Sequence, residues 1–233
     1  MANAKPSNKP KKEISAFAKT YLIGYNFIET IGWSYLLYLL VSYHLSPSKS
    51  QSLYDTVKWS LIIFQNAAVL EVVHTLIRIV PSNPLITAMQ VASRVIVVCG
   101  VILATKAGRE TIGLHLALAA WSVTEIIRYG NYTLNLTGGV PFIVTWLRYT
   151  TFIVLYPIGV TGELLCIYAA QKEVGETKIF TIEMPNALNF TFDYQKVLWG
   201  LMLLYIPLFP KLYMHMWTLR RKVLGGGQQK KDK

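Results

Sequence analysis

Charge is scarce in this chain: Asp, Glu, Lys and Arg make up only 15% of its 233 residues, against about 25% in an average soluble domain. So few charges leave no ordinary water-soluble surface, and with 53% hydrophobic residues and a mean hydropathy of +0.37 the composition reads as a membrane protein. Acidic residues are the scarcer sign, 12 against 23 Lys and Arg, for a formal charge of +11. That excess does not point to nucleic acid. The basic residues concentrate in the tails, at Lys5, Lys9, Lys11 and Lys12 and again over 220–233, where an anionic lipid surface accounts for them better. Cysteine is limited to Cys99 and Cys166, both inside apolar runs, which speaks against a disulfide framework. His44, His74, His115 and His215 are scattered singly, so no zinc-ligand spacing exists, and neither metal nor cofactor is expected. The basic N-terminus is not followed by a cleavage site of small residues, and the first apolar run is too long for a signal-peptide core, so that run is expected to stay in the membrane.

What is present is a succession of long apolar runs. They predict an all-α, polytopic membrane bundle of six transmembrane helices over about 16–41, 57–79, 85–105, 112–134, 141–170 and 196–219. Residues 1–15 and 220–233 read as basic tails and 16–219 as the six-span catalytic domain. An even number of spans puts both tails on one side, and the positive-inside rule assigns that side to the cytosol. The loop 171–193 is then lumenal, and Lys106 and Arg109 dissent as bases in a predicted lumenal turn. The last four residues, Lys230, Lys231, Asp232 and Lys233, resemble a cytosolic dilysine retrieval signal for the endoplasmic reticulum. Three sequons, at Asn131, Asn135 and Asn189, divide accordingly, with only Asn189 expected to face the lumen.

Several spans carry polar groups, each costing roughly 2.5–3.5 kcal/mol when ionisable and at membrane depth. In the fifth span Tyr149, Tyr156 and Glu163 are seven residues apart and fall on one helical face, with Pro157, Gly159 and Gly162 between the last two predicting a kinked, tightly packed helix. In the second, Glu71, His74 and Arg78 share a face; Glu71 and His74 are expected to pair, leaving Arg78 to reach the interface. The third, with Gln90, Ser93 and Arg94, reads mainly as packing. In the fourth, Glu125 and Arg128 are placed for an intrahelical pair beside Tyr129 and Tyr132, and Pro207 and Pro210 are expected to kink the sixth. Spacing alone leaves two readings of these groups open, proton chemistry or interhelical hydrogen bonding.

The segments LEVVHTLIRIVPSNP, QVASRVIVV, WSVTEIIRYGNY, LRYTTFIVLYPIGVTGELLCIYAA, FTFDY and YIPLFPKLYMHM, in that order, resemble the 3-hydroxyacyl-CoA dehydratase family, also called protein-tyrosine-phosphatase-like A. The likeness covers nearly the whole chain and is densest at YPIGVTGE. It implies a six-span enzyme of the endoplasmic reticulum in the third step of very-long-chain fatty acid elongation, converting (3R)-3-hydroxyacyl-CoA to trans-2-enoyl-CoA beside a condensing enzyme and reductases. It also implies Tyr156 and Glu163 as the catalytic pair. The phosphatase-like signature is degenerate here: HTLIRIVP has Thr75 at the cysteine position and Arg78 at the glycine position. Thiolate chemistry is therefore excluded at this segment, while dehydration needs neither group.

Dehydration is a β-elimination. A base takes a proton from C2, an acid protonates the departing 3-hydroxyl, and a cation or donor stabilises the thioester oxygen. Tyr156 and Glu163 are the candidates for proton transfer, Glu163 being the favoured base, and Tyr149, Glu125, Glu71 and His74 are supporting polar groups. Arg78, Arg128 and Arg148 are candidates for the CoA phosphates, their other reading being snorkelling to lipid. One difficulty is that seven residues rise about 10.5 Å on a straight helix. The rival reading is a non-enzymatic membrane scaffold or carrier whose polar stripe is structural.

Overall fold

The computed structural model describes residues 15–46, 51–187 and 189–225; the dilysine-like end at 230–233 and nearly all of the N-terminal basic tail lie outside the described residues. The chain runs α1 (Ala16–Leu45), α2 (Leu53–Ala67), α3 (Val69–Leu76), α4 (Pro84–Val95), a π-helical stretch Ile96–Ile102, α5 (Lys106–Glu110), α6 (Ile112–Thr137), α7 (Phe142–Arg148), α8 (Phe152–Thr177) and α9 (Tyr194–Leu224). Starts are set locally by capping side chains. Ser15 accepts from Ala18 N (3.2 Å), Ser52 from Asp55 N (3.1 Å), Asn83 from Leu85 N (2.9 Å) just ahead of Pro84, and Asp193 from Lys196 N (3.2 Å).

Every predicted span contains a helix, but three are not the simple rods expected. The second is broken at Ala68, where the Tyr25 hydroxyl donates to the Ala67 carbonyl (3.2 Å). The third widens into a π-helix just after Arg94. The fifth is broken at Tyr149, where Thr151 spends both its amide and its hydroxyl on the Leu147 carbonyl (2.9 Å each). β-Branched, hydroxyl-bearing residues compete with the helical ladder in this way. Pro207 and Pro210 are both absorbed within the 31-residue α9, which continues to Leu224 and so takes in the first residues of the predicted C-terminal tail.

Among the described residues, four helical segments are long and apolar enough to cross a membrane: Leu53–Leu76, Pro84–Ile102, Phe152–Thr177 and Tyr194–Leu224. The chain is a multi-pass membrane protein on that count. The remaining long helices, α1 and α6, hold Asn26, Glu29, Glu125 and Arg128, and they pack most extensively against each other and, through α6, against α8. Small residues set the α6–α8 distance. A methyl added at Gly162 would meet Ala117 N at 2.5 Å and the Gly113 carbonyl oxygen at 2.7 Å, and one at Gly159 would meet Ala120 at 3.3 Å. The two backbones touch.

The bundle has two unlike halves. Its apolar core is built from Trp33, Leu36 and Leu40 of α1, Val57 and Leu61 of α2, Val97 and Val101, Leu114 and Leu118 of α6, Cys166 to Val174 of α8 and Leu198 of α9. All lie towards the end where α1 finishes and α9 begins. The other half, towards the start of α1 and the end of α9, holds the buried carboxylates Glu29, Glu125 and Glu163 together with Asn26, His74 and Ser122. At the apolar end the dissenting bases are absorbed locally: Arg109 stacks over Tyr54 (4.7 Å) and Lys106 pairs with Glu110 (3.7 Å), while Glu173 accepts from the amides of Lys106 and Ala107 at 2.9 and 2.7 Å. The singly scattered histidines also include a pair, His44 Nε2 lying 3.1 Å from His115 Nδ1.

Candidate active site

Glu163 is carried into the polar half by the close α6–α8 contact, and it is only 7% exposed. Both carboxyl oxygens are engaged: Trp121 Nε1 of α6 donates to Oε1 at 2.8 Å, and the Tyr205 hydroxyl of α9 donates to Oε2 at 2.5 Å. Two donors from two helices fix the rotamer, and each carboxyl oxygen accepts one of them. Neither donor was singled out in the sequence, because a Trp and a Tyr in membrane helices look like packing or interfacial anchors until a carboxylate is placed beside them.

Tyr156 lies two turns nearer the start of α8 and is half-buried, its ring against Phe152 (5.8 Å between centroids). Its hydroxyl makes no hydrogen bond among the described residues, so it is free to donate to a bound molecule. Pro157 does not break the helix between the two residues. The missing proline amide instead leaves the Ile153 carbonyl open, and Tyr213 of α9 donates to it at 3.3 Å. The rise between Tyr156 and Glu163 is therefore bridged by side chains and whatever lies between them. Tyr149 leaves the stripe altogether. It occupies the break before α8, so the expected three-residue row on one helix reduces to Tyr156 and Glu163.

An ion cluster stands behind the pair. Arg128 binds Glu71 through both terminal nitrogens (2.7 and 3.2 Å) and Glu125 at 2.7 Å, while Tyr129 donates to Glu71. The predicted Glu125–Arg128 pair is present. The predicted Glu71–His74 pair is not: Glu71 goes to Arg128, and His74 meets the Tyr21 hydroxyl at 2.9 Å, because α1 and α6 offer better-placed partners than the neighbouring turn of α3. Arg94, assigned to packing in the sequence, is ion-paired to the buried Glu125. Its charge also acts on Tyr156, Glu163 and Tyr205, with Arg128 acting on Tyr156 beside it. Buried charge of this kind persists only when paired. Glu29 adds another carboxylate next to the cluster, 2% exposed, with Oε2 unpartnered.

The three arginines expected to meet phosphates divide. Arg128 is committed inside the cluster. Arg148, at the end of α7, donates to Asn131 Oδ1 (2.9 Å) and the Tyr132 hydroxyl (3.1 Å) and lies over the Tyr132 ring. Arg78 sits on the exposed turn after α3 at φ 60°, its guanidinium without a partner among the described residues. Thr75, at the degenerate cysteine position, only returns its hydroxyl to the Val72 carbonyl (2.8 Å). No anion-binding loop or thiol stands there.

The chain is similar to known proteins over most of its length. The family model described as Protein tyrosine phosphatase-like protein, PTPLA, matches residues 65–226. A Caenorhabditis elegans protein named Very-long-chain (3R)-3-hydroxyacyl-CoA dehydratase hpo-8 is 46% identical over 215 residues, covering 92% of this chain and 99% of its own length. A Mus musculus protein named Very-long-chain (3R)-3-hydroxyacyl-CoA dehydratase 2 is 44% identical over 223 residues, 96% of this chain and 88% of its own. An Arabidopsis thaliana protein, Very-long-chain (3R)-3-hydroxyacyl-CoA dehydratase PASTICCINO 2, is 33% identical over 91% of this chain and 96% of its own length. No solved structure matches the chain.

Proposed function

The chain belongs to the protein tyrosine phosphatase-like family PTPLA, and from that premise we propose that its polar half dehydrates very-long-chain (3R)-3-hydroxyacyl-CoA to trans-2-enoyl-CoA through Tyr156 and Glu163. It is a hydro-lyase. The observation that carries the residue assignment is a buried carboxylate held by two donors, Trp121 and Tyr205, on the same helix face as a tyrosine whose hydroxyl is uncommitted. Glu163, oriented by those donors, takes the C2 proton. Tyr156 gives its proton to the 3-hydroxyl, which leaves as water. Arg94 stabilises the thioester oxygen as the enolate forms, being the cation common to both groups. The C2 proton now on Glu163 passes to the Tyr156 phenolate, and the pair is reset with no net gain of protons.

Arg78 and Arg148 lie at the end of the bundle that carries the polar half, after α3 and at the end of α7, and they are the groups for the CoA phosphates. The acyl chain takes the apolar surfaces between helices. In the bilayer α1 and α6 cross together with the four apolar segments, giving six spans with both termini on one face, and the basic ends make that face cytosolic. The dilysine-like end supports residence in the endoplasmic reticulum. There the protein would take its substrate from a β-ketoacyl reductase, fed by a condensing enzyme, and pass its product to an enoyl reductase. The test is purified protein in detergent with a long-chain (3R)-3-hydroxyacyl-CoA, reading the ultraviolet absorbance of the conjugated thioester. A folded protein that forms no enoyl-CoA leaves a scaffold or carrier as the better reading.

A further inference from the structure

The segment joining α8 to α9 folds into a hairpin in which Ile182 and Phe192 exchange backbone hydrogen bonds at 2.8 and 2.9 Å. Along both arms apolar and polar residues alternate: Phe180, Ile182 and Met184, then Phe190 and Phe192, against Thr181 and Glu183, then Thr191 and Asp193. A two-residue period sends the sets to opposite faces. Most of the polar set is spent on the protein itself. Thr181 Oγ1 accepts from Tyr194 N (3.3 Å), Glu183 pairs with Lys178 (3.6 Å), and Asp193 caps α9 by accepting from Lys196 N, a bond that holds its carboxyl below the usual carboxylate range. The apolar set is largely unspent. Phe180 and Phe192 each set a ring towards Tyr194 (5.4 and 6.5 Å between centroids), yet Phe180, Ile182, Met184 and Phe190 remain between 40% and 57% exposed.

The location says what covers this face. The hairpin begins where α8 ends at Thr177 and finishes where α9 begins at Tyr194, and both helices are candidate membrane spans, so it stands at the bilayer boundary. Exposed lysines, Lys172, Lys178 and Lys196, flank it at phosphate height. We propose that this hairpin is a membrane-interface element, its Phe180, Ile182, Met184 and Phe190 face lying among the upper acyl chains of the leaflet opposite the catalytic half, with the lysines at the headgroups. It anchors the far ends of α8 and α9, the two helices that supply Glu163 and its Tyr205 donor. It also holds the Asn189 sequon against the membrane, where a glycan cannot be added.

The test places single nitroxide labels in the full chain, reconstituted in phosphatidylcholine nanodiscs on a Cys99→Ala, Cys166→Ala background that retains dehydratase activity. Labels at Phe180→Cys, Met184→Cys and Phe190→Cys should collide with oxygen severalfold more than with a water-soluble nickel chelate, and a label at Glu183→Cys should show the reverse preference. Nickel access at all three apolar positions equal to that at Glu183→Cys would overturn the proposal. Protection from both reagents would also overturn it, because the face would then be covered by protein, a second copy or another partner. Glycosylation of Asn189 in the wild-type chain would do so as well.

Discussion

Tyr156→Phe and Glu163→Gln each keep the shape of the side chain and remove its capacity for proton transfer, so each should cost about 10²–10⁴-fold in turnover, about 3–5 kcal/mol of transition-state stabilisation, with the protein still folded. A purely structural hydrogen bond in a membrane bundle averages about 0.6 kcal/mol and would appear as lost stability with near-normal turnover. Tyr149→Phe is the control; placed in the break before α8 rather than on its face, it should keep most activity. Steady-state kinetics on the three purified variants decides between these outcomes. Arg94 gives a second, independent case. Arg94→Gln leaves Glu125, 1% exposed, short of one of its two cations, and breaking a buried pair in this way costs about 3–5 kcal/mol. The double variant Arg94→Gln, Glu125→Gln should regain most of the melting temperature and none of the turnover. If it regains turnover too, Arg94 only balances charge. The sequence held a signal for Arg94: a lone guanidinium inside an apolar run is costly enough to require a partner. It did not say where that partner was, since Glu125 lies 31 residues further along the chain.

At the scale of the helices, α8 places Glu163 only because α6 lets it come close. Gly162→Ala puts a methyl 2.5 Å from Ala117 N and 2.7 Å from the Gly113 oxygen, backbone atoms that cannot swing aside. The helices must separate, so the melting temperature should fall with a cost of about 1–3 kcal/mol, and turnover should fall as Trp121 draws away from Glu163. Gly130→Ala on α6 meets nothing within 4 Å and should be neutral or stabilising, by up to about 1 kcal/mol of helix propensity. Thermal melts in one detergent compare the two, and a Gly162→Ala protein as stable and active as wild type would dismiss close packing as the positioning device. Gly159, Gly162 and Pro157 were legible as marks of a tight, special helix. The break at Tyr149 was less so, because an apolar run carries no periodic signal once it is apolar all round, and Thr150 and Thr151 look like ordinary span residues.

For the whole molecule, the split into a polar and an apolar half fits a substrate with a charged head and an apolar tail entering from the side of the basic termini, proposed above to be cytosolic. That orientation predicts the fate of glycosylation tags: one long enough to clear the membrane, inserted in the 178–193 loop, should be modified in microsomes, whereas one appended at the C-terminus should not. Modification of the C-terminal tag would invert the protein and place Arg78 and Arg148, proposed for the CoA phosphates, on the wrong side of the membrane.

Composition and motif order by themselves determined that this is a helical membrane protein and pointed to the dehydratase family. Those properties rest on apolar run length and on local residue strings, which chain order records directly. The sequence also singled out Tyr156 and Glu163, since both sit on one helix. Only the tertiary structure brought Trp121 and Tyr205 to Glu163, paired Arg94 with Glu125, moved Glu71 from His74 to Arg128, and set Tyr149 off the face. Those contacts join side chains on different helices, and a membrane helix reveals which of its faces meets which neighbour only after the bundle has packed.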